Sequence, residues 1–412
     1  MDATGRPRYT AFFVVGTRIS VFALLLISLS KTAVEAVSCK DEHNQDVEWF
    51  FVYKMPKEAS RAASVAFNKA STSPRGGEEY FYVDARTPTS TSRWPRSEHS
   101  VAVAAGALAN TLAPLYATNK SGLNLAYAAY NDQPPTGTDG ATVDSHGHTK
   151  GVILFDEQQG VWLVHSVPDF PGSLHSGHYE FPDTGREYGQ VALCVTFPTS
   201  QLDTIATHLR LQHPDIYDSY SPQSLLTAHP QLALLLQKSF IHTQPWLLTA
   251  KLITQGNATF VSFAKHGQYE QDVYETAVAV TLGKDVLVST WRNGRGGKLP
   301  PACNGIAGPR VLDVLQMRFD QASSNASLAF DNTEDHSKWA VSLPGKTWTH
   351  DKAEESGGNN DVGYVCVGTL NRMQSQLRRG GETLCFRNAM LHGLLLNSVV
   401  SHDTCPRNTA AA

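Results

Sequence analysis

The chain has 412 residues, 41% hydrophobic and 17% charged, with a formal net charge of −4. That length accommodates one large core or two fused ones. No run of 18 uninterrupted apolar residues occurs, which argues against an ordinary membrane-spanning helix, and the mildly negative charge gives no sign of a polyanion-binding surface at neutral pH.

In chain order, the first distinctive segment is 19–30, ISVFALLLISLS. It follows Arg6, Arg8 and Arg18 and precedes the small-x-small end Val34-Glu35-Ala36. This pattern predicts a signal peptide over residues 1–36, with an uncleaved signal anchor or a misassigned start as alternatives for the long lead. Six cysteines (Cys39, Cys194, Cys303, Cys366, Cys385 and Cys405) all follow it, as an exported chain with three disulfides would have. Sequons at Asn119, Asn257 and Asn325 predict a glycoprotein, lysosomal or secreted. The first 36 residues carry +2, which leaves −6 for the remainder, and all 16 histidines lie in that remainder. Protonating them all would bring it to +10, so the chain turns basic as imidazoles titrate and then suits a polyanion in an acidic compartment.

A strand is predicted over 47–53 (VEWFFVY), a loop over the Ser-, Thr-, Gly- and Pro-rich 71–96, and a helix over the Ala-rich 101–115. Residues 123–130 read as a strand closed by the turn signal Asn-Asp-Gln-Pro-Pro at 131–135. The runs 151–156 and 161–167 read as a hairpin, 168–187 as irregular, and 190–197 as a strand. The pattern then turns helical over 202–211, 222–239 and 274–282, with strands at 259–263 and 285–291. Strands at 339–343 and 364–368 precede a final helix over 386–400.

There is no short repeat, but there is a long-period echo: GHTKG at 147–151 and DHSKW at 335–339. Mixed helices and strands with one such motif in each part predict an α/β fold of two halves, 37–200 and 201–412, with a site between them. On a strand, residues i and i+2 share a face. His148 with Lys150, and His336 with Lys338, then each present an imidazole beside an ammonium. Two facing pairs make a pocket for a phosphodiester. Lysines neutralise its oxygens in place of a metal, one histidine attacks phosphorus, and the other protonates the leaving oxygen and then activates water. A protonated acid implies activity at acidic pH.

Further stretches support one family. CKDEHNQDVEWFFVYKMPK (39–57), YNDQPP (130–135), GHTKGVILFD (147–156), WLVHSVPDFP (162–171), YGQVALCVTFP (188–198), SFAKH (262–266), NTEDHSKW (332–339) and VCVGTLNRMQSQLRRGGETLC (365–385) resemble the deoxyribonuclease II family of the phospholipase D-like superfamily over nearly the whole chain after residue 36. The resemblance implies a phospholipase D-like fold of two pseudo-symmetric halves, no cofactor, and metal-free cleavage of double-stranded DNA, largely independent of sequence, to 3′-phosphate and 5′-hydroxyl ends. It makes His148 and His336 the catalytic pair, His148 being favoured as nucleophile although the sequence does not order them. It makes Lys150 and Lys338 phosphate binders and His165 a further functional histidine, with Asn371 a weaker second-half candidate. It also implies the pairs Cys39–Cys194, Cys303–Cys405 and Cys366–Cys385. The chain departs from the superfamily's usual Asp five residues after each motif lysine, where it has Phe155 and Leu343. It has Thr369 after CVG and Ala340 after HSKW. Orienting carboxylates are therefore unassigned; Asp335 and Asp169 lie near the motifs.

Other features read more plainly. His146-x-His148 lacks further metal ligands, and Trp162 and Trp339 read as core more than as base-stacking groups. Arg378-Arg379 reads equally as a phosphate grip or a solvated turn, and 292–298 (RNGRGGK) as a basic DNA-contact loop. Two rival functions remain: a phospholipase D-like phosphodiesterase on a lipid or other substrate, for which no long apolar strip flanks the motifs, and an inactive secreted DNA binder or toxin-like protein, against which both motifs are intact.

Overall fold

Residues 36–59, 76–117, 124–138, 146–294, 296–303, 308–323, 327–349, 352–355 and 362–406 are described in the computed structural model. They build two separate two-stranded ribbons, Cys39–Lys40 with Asp46–Val47 and Lys346–Thr349 with Lys352–Glu355, and two large sheets. The first contains β1 (Trp49–Lys54), β2 (Tyr80–Asp84), β3 (Ala126–Asn131), β4 (Lys150–Phe155), β5 (Gln159–His165), β6 (Gln190–Pro198) and β7 (Ile216–Tyr220), in the spatial order β2-β1-β6-β5-β4-β3-β7. The second contains β8 (Leu247–Ile253), β9 (Thr259–Lys265), β10 (Val286–Ser289), β11 (Val311–Asp320), β12 (Ser327–Asp331), β13 (Trp339–Ser342), β14 (Tyr364–Gly368) and β15 (Gly381–Arg387), in the order β8-β9-β15-β14-β13-β10-β11-β12, with β16 (Val399–His402) also paired to β11.

The two orders match strand for strand through the middle. β1-β6-β5-β4 and β9-β15-β14-β13 are both fully antiparallel, and both begin on a strand that ends in a buried lysine, Lys54 or Lys265. They diverge at the far edge: β3 pairs antiparallel with β7, whereas β10 pairs parallel with β11.

Alternation along the strands explains the layering, because successive side chains face opposite sides. Trp49, Phe51 and Tyr53 enter a core that also holds Phe260, Phe319, Trp339, Val341 and Phe386 of the second sheet. Phe50 and Val52 instead face a separate cluster that includes Leu108 and Leu112 of helix α1 (Ala107–Leu112). In the second sheet Val365, Val367, Leu384 and Phe386 face the shared core, while Cys366 and Cys385 face the cluster around Tyr274 and Val278. Both faces of each sheet are thus covered, and the central strands read as unbroken apolar runs rather than as alternation. Trp162 and Trp339 are fully buried in the shared core. Truncating either to Ala would cost about 3–5 kcal/mol. Disulfides join Cys39 to Cys194, Cys303 to Cys405 and Cys366 to Cys385. Among the described residues no helix is long and apolar enough to cross a membrane.

Several expected elements differ. The loop expected over 71–96 contains β2, and Trp94 within it is buried, its Nε1 donating to Ser398 Oγ at 2.8 Å. The short apolar run YFYV is masked in sequence by its polar flanks. Helix α2 (Leu202–Gln212) forms as expected, but 222–239 is split into α3 (Gln223–Ala228) and α4 (Pro230–Leu236). Pro230 drives His229 out of the helical region, and it adopts φ −124° and ψ 83°. The helix over 274–282 starts with a π turn at Tyr274–Val278 before α5 (Ala279–Leu282). The last helix, α6 (Ala389–Ser398), starts only after β15, where the Asn388 side chain accepts the Leu391 N–H at 2.9 Å. The ten-residue β11 went unforeseen because VLDVLQMRFD mixes buried and exposed positions irregularly. The expected signal segment, Asn119 and Asn325 lie outside the described residues; Asn257 is exposed in the β8–β9 turn.

Candidate active site

Neither His-x-Lys motif lies within a strand. His148 and Thr149 lead into β4, whose first residue is Lys150, and His336, Ser337 and Lys338 lead into β13. Each motif is held from the opposite half. The His148 N–H donates to Gly380 O at 2.8 Å, just before β15, and the His336 N–H donates to Gly189 O at 2.9 Å, just before β6. Both acceptors must be glycine, because a Cβ on Gly380 would sit 2.1 Å from Gln212 O and one on Gly189 would sit 2.4 Å from Asp335 Oδ1.

The imidazoles repeat this exchange. His148 Nδ1 lies 2.5 Å from Thr369 O, and His336 Nδ1 lies 3.0 Å from Ser166 O and 3.3 Å from Gln190 Oε1. A carbonyl can only accept, so each Nδ1 carries the proton and each Nε2 is left with its lone pair. Ser166 and Thr369 are themselves counterparts. Ser166 N donates to Val191 O and Val191 N to Ser166 Oγ, both at 3.0 Å; Thr369 N donates to Glu382 O at 3.0 Å and Glu382 N to Thr369 Oγ1 at 3.1 Å. Serine or threonine after the strand end turns back on the next strand and points its carbonyl across the interface.

The lysines are buried. Lys150 Nζ bonds Asp132, and Lys338 Nζ donates to His336 O at 2.6 Å. Asp132, only 5% exposed, also pairs with Arg379 at 3.0 Å, and its Oδ2 is 3.9 Å from His148 Nε2. Burial alone would raise the Asp132 carboxyl, but the charges of Lys150, His148 and Arg379 outweigh it and hold the group well below the usual carboxylate range. Burial pushes His148 well below the usual imidazole range, against the pull of Asp132 and with the push of Lys150, Arg379 and Lys338. Crowding by protein does the same to His336, aided by Lys338, Lys150 and His148 itself. The two histidines and two lysines therefore share one electrostatic site. Burial also lowers Lys338 strongly, with Lys150 adding to it.

His165, at the end of β5, is fully buried and lowered to about 3 by burial and by Lys150. Its Nδ1 accepts the Val167 N–H at 3.2 Å, which puts its proton on Nε2, and among the described residues that atom has no hydrogen-bond partner. Beneath the second motif, the buried Asp335 carboxylate accepts from Tyr53 at 2.9 Å, Ser289 Oγ at 3.0 Å and Ser337 Oγ at 2.5 Å. Trp291 stands 5.4 Å from the His336 ring and 4.5 Å from Tyr188, forming an aromatic edge to the site.

All five expected site residues have thus been located, and Asn371 is buried two residues beyond Thr369. The basic loop 292–298 behaves differently. Arg292 is buried and pairs with Asp313 at 3.4 Å, which removes it from any DNA contact. Of Arg378-Arg379, Arg379 turns inward to Asp132 and to the carbonyls of His146 and Gly147, while Arg378 stays exposed. Asp132 was visible only as a turn residue in YNDQPP. The carbonyl anchors Thr369 and Ser166 carry no side-chain signal at all.

A family model described as Deoxyribonuclease II matches residues 38–405. The chain is 36% identical to mouse Deoxyribonuclease-2-alpha over 88% of its length and 92% of the relative. It is 34% identical to Plancitoxin-1 of Acanthaster planci, covering 90% of this chain and 93% of that one. With Deoxyribonuclease-2 of Caenorhabditis elegans the identity is 33%, over 90% and 95% of the respective chains.

Proposed function

The chain belongs to the deoxyribonuclease II family, and from that premise we propose that it is an acid endodeoxyribonuclease that hydrolyses DNA without a metal, through a phosphohistidine. The observation that carries this reading is the reciprocal anchoring of His148 Nδ1 on Thr369 O and His336 Nδ1 on Ser166 O, which leaves each Nε2 with its lone pair while the charges of Lys150 and Lys338 bear on both rings.

Lys150 and Lys338 bind the non-bridging oxygens of the scissile phosphate, and His165 offers its unspent Nε2–H to the same group. His148 Nε2 attacks phosphorus. Positive charge builds on that imidazole as the P–N bond forms, and both the Thr369 carbonyl and the Asp132 carboxylate stabilise it. The P–O5′ bond breaks as His336 gives its proton to the departing oxygen. Lys338 and Lys150 make the His336 imidazolium a ready proton donor. Water then attacks phosphorus, its proton passes to His336, and the P–N bond breaks. The ends are a 3′-phosphate and a 5′-hydroxyl.

Both imidazoles sit below their usual range, so the acid is loaded as pH falls, and the negative charge of a scissile phosphate favours that loading. Contacts dominated by backbone phosphate make cutting of double-stranded DNA largely independent of sequence. Three disulfides suit a secreted or lysosomal location. There residues 1–36 serve as a signal peptide, Asn119, Asn257 and Asn325 as glycan sites, and 37–200 and 201–412 as the two halves. The test is plasmid nicking at pH 5 and pH 7.5 in EDTA. Nicking at pH 5 that survives EDTA and vanishes in His148→Ala and in His336→Ala is expected; activity abolished by EDTA, or unchanged in either variant, overturns the mechanism.

A further inference from the structure

Outside this site, the described residues contain one group of three histidines placed for a common ligand: His213, His242 and His266, with one nitrogen of each within 4.8 Å of the others. They come from three separate places. His213 caps α2 in a left-handed conformation (φ 57°), His242 lies in the connection after α4, and His266 directly follows β9. They line a cleft of about 300 Å³ with Gln212, Gly267, Gln268, Glu270, Arg378 and Gly380.

We propose that His213, His242 and His266 form a binding site for a single divalent transition metal ion of the zinc class, distinct from the catalytic centre. His213 Nε2 lies 2.9 Å from Ile241 O and must donate to it, which leaves Nδ1 as a lone pair. Metal-bound imidazoles are oriented in this way, by a carbonyl on the far nitrogen. Two rings are also fixed by stacking, His213 on Phe240 at 5.0 Å and His266 on Trp246 at 4.7 Å. Zinc–nitrogen bonds of about 2.0–2.1 Å set tetrahedral ligand atoms roughly 3.4 Å apart. The ligand atoms, within 4.8 Å of one another, therefore have to close by at most about 1.4 Å, and the exposed His242 can supply that by a side-chain rotation. His266 Nδ1 currently accepts the Gln268 N–H at 2.9 Å. Coordination exchanges this one turn hydrogen bond for a metal bond. Three imidazoles leave the fourth position to water. The nitrogen-only donor set disfavours calcium and magnesium, which require oxygen. Glu270, the carboxylate in the cleft, pairs with Arg378 at 3.3 Å.

The site adjoins the backbone that carries the first motif. His213 O accepts the Gly147 N–H at 2.8 Å, and Gly380, in the same cleft, accepts the His148 N–H. A bound ion would tie this strap to β9. Because only the folded chain assembles the three ligands, the ion also raises thermal stability.

The experiment titrates the full chain with Zn2+ at pH 7.5 by calorimetry, with Co2+ as a spectroscopic stand-in, and measures Tm with and without Zn2+. One equivalent should bind, Co2+ should show the visible absorption of a tetrahedral centre, and Zn2+ should raise Tm. His242→Ala, at an exposed position, should weaken binding by about 100-fold or more, beyond the loss typical of an outer-sphere partner, and abolish the Tm rise. His148→Ala should bind the ion as the wild type does. Absence of stoichiometric binding, undiminished binding in His242→Ala, or loss of binding in His148→Ala in its place would each overturn the assignment.

Discussion

The two motif regions share a frame and differ in their charged neighbours. Both histidines take a backbone N–H acceptor from a glycine of the other half and turn Nδ1 to a carbonyl of the other half. His148, however, has a carboxylate at Nε2, Asp132, itself gripped by Lys150 and Arg379. Among the described residues His336 has no such group; its neighbours are Lys338 and the Trp291 ring, and the carboxylate of Asp335 lies below, spent on hydroxyls. The frame supplies geometry equally to both sides, and the neighbours divide the labour: at His148 the Asp132 carboxylate opposes the cations of Lys150, Arg379 and Lys338, whereas at His336 Lys338 and Lys150 favour release of a proton.

The largest expected effect tests the shared frame. His148→Ala and His336→Ala should each lower kcat by roughly 10⁴-fold or more, and the double variant should be no worse than the more damaged single one, because the pair acts as a unit. Additive losses would separate the two roles. Next, Lys150→Ala and Lys338→Ala should each cost about 10²–10³ in kcat by removing charge from the developing phosphorane. Plasmid cleavage rates at saturating DNA measure both.

Asp132→Asn sharpens the asymmetry. Asp132 favours the protonated form of His148, so its neutralisation should lower that proton affinity, move the limb of the kcat/KM profile governed by His148 to lower pH, and reduce kcat by about 10-fold or more. An unmoved profile would show Asp132 to be only a structural partner of Lys150.

How much of this was legible depends on where the information resides. The repeated His-x-Lys pairs announced themselves because chemistry requires those side chains. The strands β1, β6 and β14 did too, because two buried faces leave only apolar residues to choose from. Thr369 and Ser166 act through backbone carbonyls, which any residue possesses, and Asp132 looks like ordinary turn polarity until the fold brings Lys150 and Arg379 to it. Gly189 and Gly380 are needed for close approach across the interface, a requirement set by residues more than 100 positions away. The inward turn of Arg379 beside an exposed Arg378 is likewise a tertiary fact.

Glu382 links the frame to pH. Its backbone supports Thr369, and burial pushes its carboxyl up to about 8. The folded state then holds a proton that the unfolded chain releases near pH 4.5, so stability falls as pH rises from about 4.5 towards 8. Glu382→Gln should therefore raise Tm at pH 7.5 and leave it nearly unchanged at pH 4.5; an equal change at both would remove the linkage. The smallest expected effect is at the aromatic edge. Tyr188→Ala should raise KM for DNA by several-fold with kcat little changed, as loss of one partly exposed stacking surface would.

The most direct measurement follows the phosphorus. A thymidine 3′-phosphodiester with a nitrophenol leaving group departs without help from an acid, so in His336→Ala the first step should proceed while the second, which needs His336 to activate water, stalls. Mass spectrometry of the digested protein should then find the thymidine 3′-phosphoryl group on His148, with the adduct absent from His148→Ala. Release of nitrophenol with no adduct on His148, or an adduct that persists in His148→Ala, would contradict the account.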